Sequence, residues 1–144
     1  MMVKNKSVSA AIGEHLALGE LLKKDIEAYL AHGETQKGWD IVVVQKIGVR
    51  RVQVKSIDWP VQTAVNGIFN GNFDFLIVVL LDLKNPRSRF FVFKCQDVEA
   101  HISQRNENRK DNNRTLTMSG KSVFGALSKY EDNWEVLLQD AIES

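Results

Sequence analysis

A mixed α/β sandwich is the fold class this sequence predicts. Three observations carry that reading: an amphipathic helical period near the start, two pairs of short apolar strands in the middle, and a second helical period at the end. With 144 residues, 44% of them hydrophobic, the chain is long enough for one real core and short for two. A single domain over residues 1–144 is therefore expected, and no repeat, low-complexity tract or proline- and glycine-rich linker divides it.

The elements follow in order. Ile12, Leu16, Leu22, Ile26 and Leu30 recur at helical spacing, so a helix is predicted from Ser9 to about Ala31, with Gly33 as a stop. WDIVVVQ at 39–45 and RRVQVKS at 51–57, separated by the turn-like KIGV, predict an antiparallel hairpin. Residues 60–71 mix turn residues with a few apolar ones and fit either a loop or an irregular helix. FDFLIVVLLD at 73–82 and SRFFVFK at 88–94, joined through Asn85 and Pro86, predict a second pair of strands. A short helix over roughly 96–104 follows. From Lys121 onward a helical period runs through Phe124, Leu127, Trp134, Leu137 and Leu138.

Composition narrows the function classes. The 19 basic residues nearly cancel the 18 acidic ones, so a formal charge of +1 exerts no overall pull toward nucleic acid or membrane. The apolar run LIVVLL lies between Asp74 and Asp82 and is far shorter than the roughly 20 residues of a spanning helix, so it reads as a buried strand. Cys95 is the one cysteine and cannot form an internal disulfide, and MMVKNKSVSA lacks the apolar stretch of a signal peptide. A reducing cytoplasm is the expected location.

Two carboxylates stand in unusual surroundings. The helix neighbours of Glu14 are Ala10, Ala11, Ala17, Leu18 and Leu21, an apolar setting that is costly for a charge without a partner. Glu20 and Glu27, by contrast, each have a lysine within a turn, Lys24 and Lys23 respectively, as solvated helix pairs do. Asp40 stands just inside a strand of Ile41, Val42, Val43 and Val44, although aspartate is depleted in strands. It reads either as a strand-entry residue capping a nearby amide or as a functional group.

Gln53 and Lys55 are two apart, so they share a strand face, and in a hairpin that face lies beside Asp40. They also read as the wet face of an edge strand. If the oxygens of Glu14, Asp40 and Gln53 converge with Lys55 nearby, the set is one of hard oxygen ligands without histidine or thiolate. Such a set suits magnesium or manganese rather than zinc, and such a cation activates water and stabilises charge on a phosphate. Lys55 would orient that water or neutralise the charge developing on phosphorus.

An N-terminal helix bearing glutamate in GEHLALGELL, an aspartate opening WDIVVV, and VQVKS about a dozen residues on resemble the PD-(D/E)XK, or restriction-endonuclease-like, nuclease superfamily. The resemblance covers roughly residues 8–82. It implies a restriction-endonuclease-like core, with the N-terminal helix followed by a mixed central sheet of about four to five strands and flanking helices. It further implies that Asp40 and Gln53 hold the divalent metal together with the backbone carbonyl of Val54. Lys55 would be the catalytic lysine, and Glu14 would reach the metal directly or through water. Trp39 stands where the superfamily often has proline. Gln53 stands where aspartate or glutamate is usual, and an amide supplies one oxygen and no charge, so metal affinity is expected to fall. Homing endonucleases are among the closest parallels for a glutamine at this position.

Other features carry less chemistry. QRNENRKDNNR at 104–114 gathers Arg105, Arg109, Lys110 and Arg114 in a polar segment, which fits a solvated loop or a contact to DNA phosphates. Lys4, Lys6, Arg50 and Arg51 are further basic candidates. SGKS at 119–122 is not a phosphate loop, because Thr115 occupies the place of its earlier glycine. His15, His32 and His101 have no metal-ligand spacing. Most of Trp39, Trp59, Trp134, Phe69 and Phe73 fit core or subunit packing more readily than base stacking, with Trp59-Pro60, directly after the strand of Gln53 and Lys55, the candidate for a substrate contact. The expectation is a Mg2+- or Mn2+-dependent DNA endonuclease acting on duplex or branched DNA as a homodimer. The alternative is a nuclease-fold protein that binds nucleic acid or a protein partner without cutting.

Overall fold

The computed structural model describes residues 6–31, 39–68, 72–82, 87–103 and 114–142. Helix α1 runs over Lys6–Lys23, and β1 (Ala28–Leu30), β2 (Ile41–Gln45) and β3 (Gly48–Asp58) follow. Then come β4 (Ala64–Ile68), β5 (Phe75–Leu81), β6 (Arg89–Lys94) and α2 (Cys95–Val98). The chain closes with β7 (Arg114–Thr117), α3 (Gly120–Val123), a 3-10 turn at Ser128–Tyr130 and α4 (Glu135–Ile142).

The first helix is shorter than its apolar period predicts. It stops at Lys23, and Asp25 takes a φ of 61°, which reverses the chain into β1. Aspartate tolerates that left-handed conformation better than most residues. Ile26, Ala28 and Leu30 lie two apart as well as four apart, so they satisfy strand alternation equally well, and Ala28 pairs with Val43 of β2. Glu27 consequently leaves the helix and accepts from Tyr29 Oη at 2.7 Å, while Lys23 pairs with Glu20 at 3.2 Å.

The main sheet has five strands in the order β1-β2-β3-β5-β6, with β3 and β5 parallel and the other neighbours antiparallel. The β2–β3 hairpin closes as expected, with Gln45 opposite Gly48, whose φ of 135° is open to glycine alone. LIVVLL forms all of β5 but its first residue, buried along its whole length between β3 and β6. Its two faces serve two cores. Ile77, Val79 and Leu81 join Val52, Val54, Leu21 and Trp134 on one side, and Leu76, Val78 and Leu80 join Phe91, Phe93, Ile68 and Leu116 on the other.

Of residues 60–71, 60–63 form a loop as expected and 64–68 form a strand instead. Strand β4 pairs antiparallel with β7 and covers the second core. The register shifts between Val65 and Ile68, with Gly67 at a φ of 76°, so the two buried side chains stand three apart rather than two. That bulge hides the alternation by which a strand is recognised. The C-terminal period likewise breaks into pieces, with Asp132 at a φ of 53° between the 3-10 turn and α4, and Phe124 ends 67% exposed. The helix expected over 96–104 is the single turn of α2.

One close approach sets the site. A Cβ on Gly13 would lie 2.6 Å from the Cβ and Oγ of Ser56, so only glycine lets α1 come this near β3. Ser56 Oγ donates to the Ser9 carbonyl at 2.8 Å and fixes the contact.

Candidate active site

Strand β2 parts from β3 at Asp40, one residue beyond the last ladder pair of Ile41 with Val52. The Asp40 amide donates to the Val52 carbonyl at 2.8 Å, and its Oδ2 accepts from the Val54 amide at 2.8 Å. The carboxylate thus stands in for the backbone acceptor that a longer β2 would have offered. Of the two readings the sequence offered for Asp40, these bonds show the capping one. In a strand the carbonyl of a residue points to the same edge as its N–H. The Val54 carbonyl therefore faces the gap where β2 has ended.

Glu14, the residue after Gly13, reaches this gap from α1. Its carboxyl is raised from 4.5 to about 7, first by burial, then by a hydrogen bond to Asp40 and by the Asp40 charge, with His15 opposing. A carboxyl beside a second acid gives up its proton less readily, so Glu14 keeps its proton to higher pH than a free glutamate. The apolar stripe around Glu14 was thus a sound signal, and its partner is a second acid.

Val52 and Val54 point into the core under α1, so Gln53 and Lys55 alternate to the opposite face. Lys55 is half-buried, and that burial lowers its ammonium below the ordinary lysine range while the Asp40 charge pulls the other way. Gln53 is only 6% exposed, and its Oε1 has no hydrogen-bond partner. A buried amide oxygen without a donor is costly, and a cation can satisfy it. Among the described residues no three histidine, cysteine, aspartate or glutamate side chains cluster as metal ligands. The structure brings Glu14 up to Asp40 and sets Lys55 within reach of the Asp40 charge, while Gln53 lies on the Lys55 face of β3.

Sequence reading missed Asp74, which mirrors Asp40 across β3. Asp74 Oδ2 accepts from the Arg51 amide at 2.8 Å, and the Asp74 amide donates to the Arg51 carbonyl at 2.8 Å. The available signal was the repeated aspartate at a strand entrance, in WDIV and again in FDFL. The Arg51 guanidinium lies 5.5 Å from the centre of the Trp39 ring, so the residue before Asp40 is also tied to β3.

The remaining candidates fall elsewhere. Arg114 lies in β7, bound to both Glu99 oxygens at 2.7 and 2.9 Å and to the Ser103 carbonyl at 2.8 Å, so its guanidinium is already engaged. Arg105, Arg109, Lys110, Lys4, His32 and Phe69 lie outside the described residues. His15 bonds the Ala11 carbonyl and His101 the Tyr130 hydroxyl, as local packing predicts. Ser119 of SGKS caps α3 by accepting from the Ser122 amide. Trp134 and Phe73 are core residues, and Trp59 Nε1 donates to the Met118 carbonyl at 2.6 Å. No helix among the described residues is long and apolar enough to cross a membrane.

No family model matches the sequence, and no curated protein does. Solved structures do match. A bacterial homing endonuclease, I-Ssp6803I, superimposes over 96% of this chain and 95% of its own, with a TM-score of 0.66 at 18% sequence identity. At that identity the likeness is one of fold. The N-terminal helix and mixed five-stranded sheet of this chain form a nuclease-like core.

Proposed function

We propose that this chain is a divalent-metal-dependent DNA endonuclease of the PD-(D/E)XK kind, hydrolysing phosphodiester bonds at Glu14, Asp40, Gln53 and Lys55. The observation that carries the reading is the meeting of Glu14, Asp40 and Lys55 where β2 leaves β3, with the partnerless Gln53 oxygen on the Lys55 face. The fold shared with a homing endonuclease supports it.

The donor set fits a hard cation, Mg2+ or Mn2+, held by Asp40, Gln53, the Val54 carbonyl and Glu14. Such an ion supplies Lewis acidity toward phosphate and a more acidic water. The chain's own groups do the rest. Glu14 and Asp40 would hold the ion as carboxylates. A water oxygen would form the new phosphorus–oxygen bond as the bond to the leaving sugar oxygen breaks, the water losing a proton to solvent and the leaving oxygen taking one from it. Lys55, half-buried beside Asp40, would hydrogen-bond that water or a phosphate oxygen and offset the developing charge. One such site cuts one strand, so a duplex cut calls for a homodimer.

Purified protein incubated with supercoiled plasmid and with branched DNA in Mg2+ or Mn2+ should cut, and Asp40→Asn and Lys55→Ala should abolish cutting. Cutting that persists in both variants sinks this site. The uncharged Gln53 favours a second reading, a nuclease-fold protein that binds without cutting. Retained DNA binding with neither cleavage nor metal uptake is its signature.

A further inference from the structure

Arg51 occupies the next outward position on the face that carries Gln53 and Lys55, because the β3 ladder runs without a bulge through Val52, Val54 and Ser56. Two residues of strand place it about 7 Å from Gln53, a step comparable to that between successive phosphates of one nucleic-acid strand. Its side chain is 38% exposed, neither buried nor loose. Asp74 holds Nε at 3.5 Å, longer than a good hydrogen bond, and the Trp39 ring lies 5.5 Å from the guanidinium carbon. The two terminal nitrogens have no partner among the described residues. The guanidinium is therefore oriented at one edge and open at the other, the form in which arginine takes a phosphate bidentately.

We propose that Arg51 binds the phosphate adjacent to the scissile one, with Asp74 and Trp39 holding its guanidinium in place. This rests on the nuclease reading of the neighbouring site and deepens it, since it gives the direction in which the substrate strand leaves the metal. The row on this face is then Arg51, Gln53, Lys55, with a cation at each end and the buried Gln53 amide between.

The test measures binding of a 30-base-pair DNA duplex by fluorescence anisotropy in Ca2+ across a salt series, beside plasmid nicking in Mn2+. Arg51→Gln should weaken binding and reduce the slope of log affinity against log salt by about one, as loss of a single phosphate contact does. Arg51→Lys should keep the slope, because the charge remains, while nicking slows. At the mapped cut site, one methylphosphonate at the adjacent phosphate should slow the wild type about tenfold and leave Arg51→Gln unaffected. An unchanged slope in a folded Arg51→Gln, or equal methylphosphonate sensitivity in wild type and variant, overturns the assignment. Nicking with an unchanged slope leaves the nuclease reading standing without Arg51. A lowered slope without nicking keeps Arg51 as a phosphate contact and removes the nuclease reading, and a wild type that neither binds nor cuts removes both.

Discussion

At the scale of single residues, the raised Glu14 carboxyl makes the metal-free protein sensitive to pH. Glu14 is raised to about 7 in the fold from 4.5, so the folded state binds more protons than the unfolded state between those values. Its contribution to stability is complete below 4.5 and is lost as pH climbs through about 7. Glu14→Gln keeps the shape and removes the ionisation. The variant should melt about 2–4 °C above wild type at pH 8 without metal and nearly with it at pH 5, the size expected for about 1 kcal/mol in a domain of this length. Calorimetry at the two pH values decides it, and an equal effect at both means the carboxyl does not titrate there. Gln53 gives the complementary case. Gln53→Glu adds charge to the donor set, so Mn2+ should bind about tenfold tighter by isothermal titration calorimetry, a gain of roughly 1.4 kcal/mol from one added charge. If affinity does not rise, the amide at this position is not facing the ion.

At the scale of elements, the site depends on how closely one helix lies on one strand. Gly13→Ala should gain helix propensity, yet the added methyl meets Ser56 at 2.6 Å, on a Cβ that cannot rotate away. The expected result is a net loss of about 1–3 kcal/mol in urea unfolding, together with weaker cutting as Glu14 is carried off Asp40. Ser56→Gly in the same chain should restore much of both, whereas recovery of stability without activity would mean that Glu14 does not depend on this contact. The apolar period of α1 gave no hint of it, because the determining atom is one that glycine lacks. The same limit appears elsewhere. Val52, Val54 and the hairpin were legible because their alternation is regular and their turn is short, and β5 because its apolar run between two aspartates has the length of a buried strand. β1 was read as helix because Ile26, Ala28 and Leu30 satisfy both periods. β4 was unreadable because its partner β7 lies some fifty residues away and its own bulge breaks the alternation. Glu14 and Asp40 could be picked out singly from their surroundings, whereas Asp74 and Arg51 gain meaning only when β5 is laid beside β3 in parallel register.

At the scale of the whole molecule, the candidate donors come from α1, from the start of β2 and from β3, and these elements carry one of the two cores. An ion bound by all three cannot bind the unfolded chain in the same way, so its binding energy adds to folding stability. At a metal concentration about one hundredfold above the dissociation constant the gain is about 2.7 kcal/mol, which for a domain of this size raises the melting temperature by roughly 10 °C. Asp40→Asn weakens the ion's hold while keeping an oxygen that can accept from the Val54 amide, so its unfolding in EDTA should stay close to that of wild type. The rise with Mn2+ should then shrink to a few degrees in Asp40→Asn and persist in Lys55→Ala, whose side chain offers no oxygen. Scanning calorimetry of the three proteins with EDTA and with Mn2+ separates binding from catalysis without any DNA present. An equal rise in all three would place the ion away from Asp40, and a rise lost equally in both variants would mean that Lys55 supports the ion's site rather than acting on the substrate.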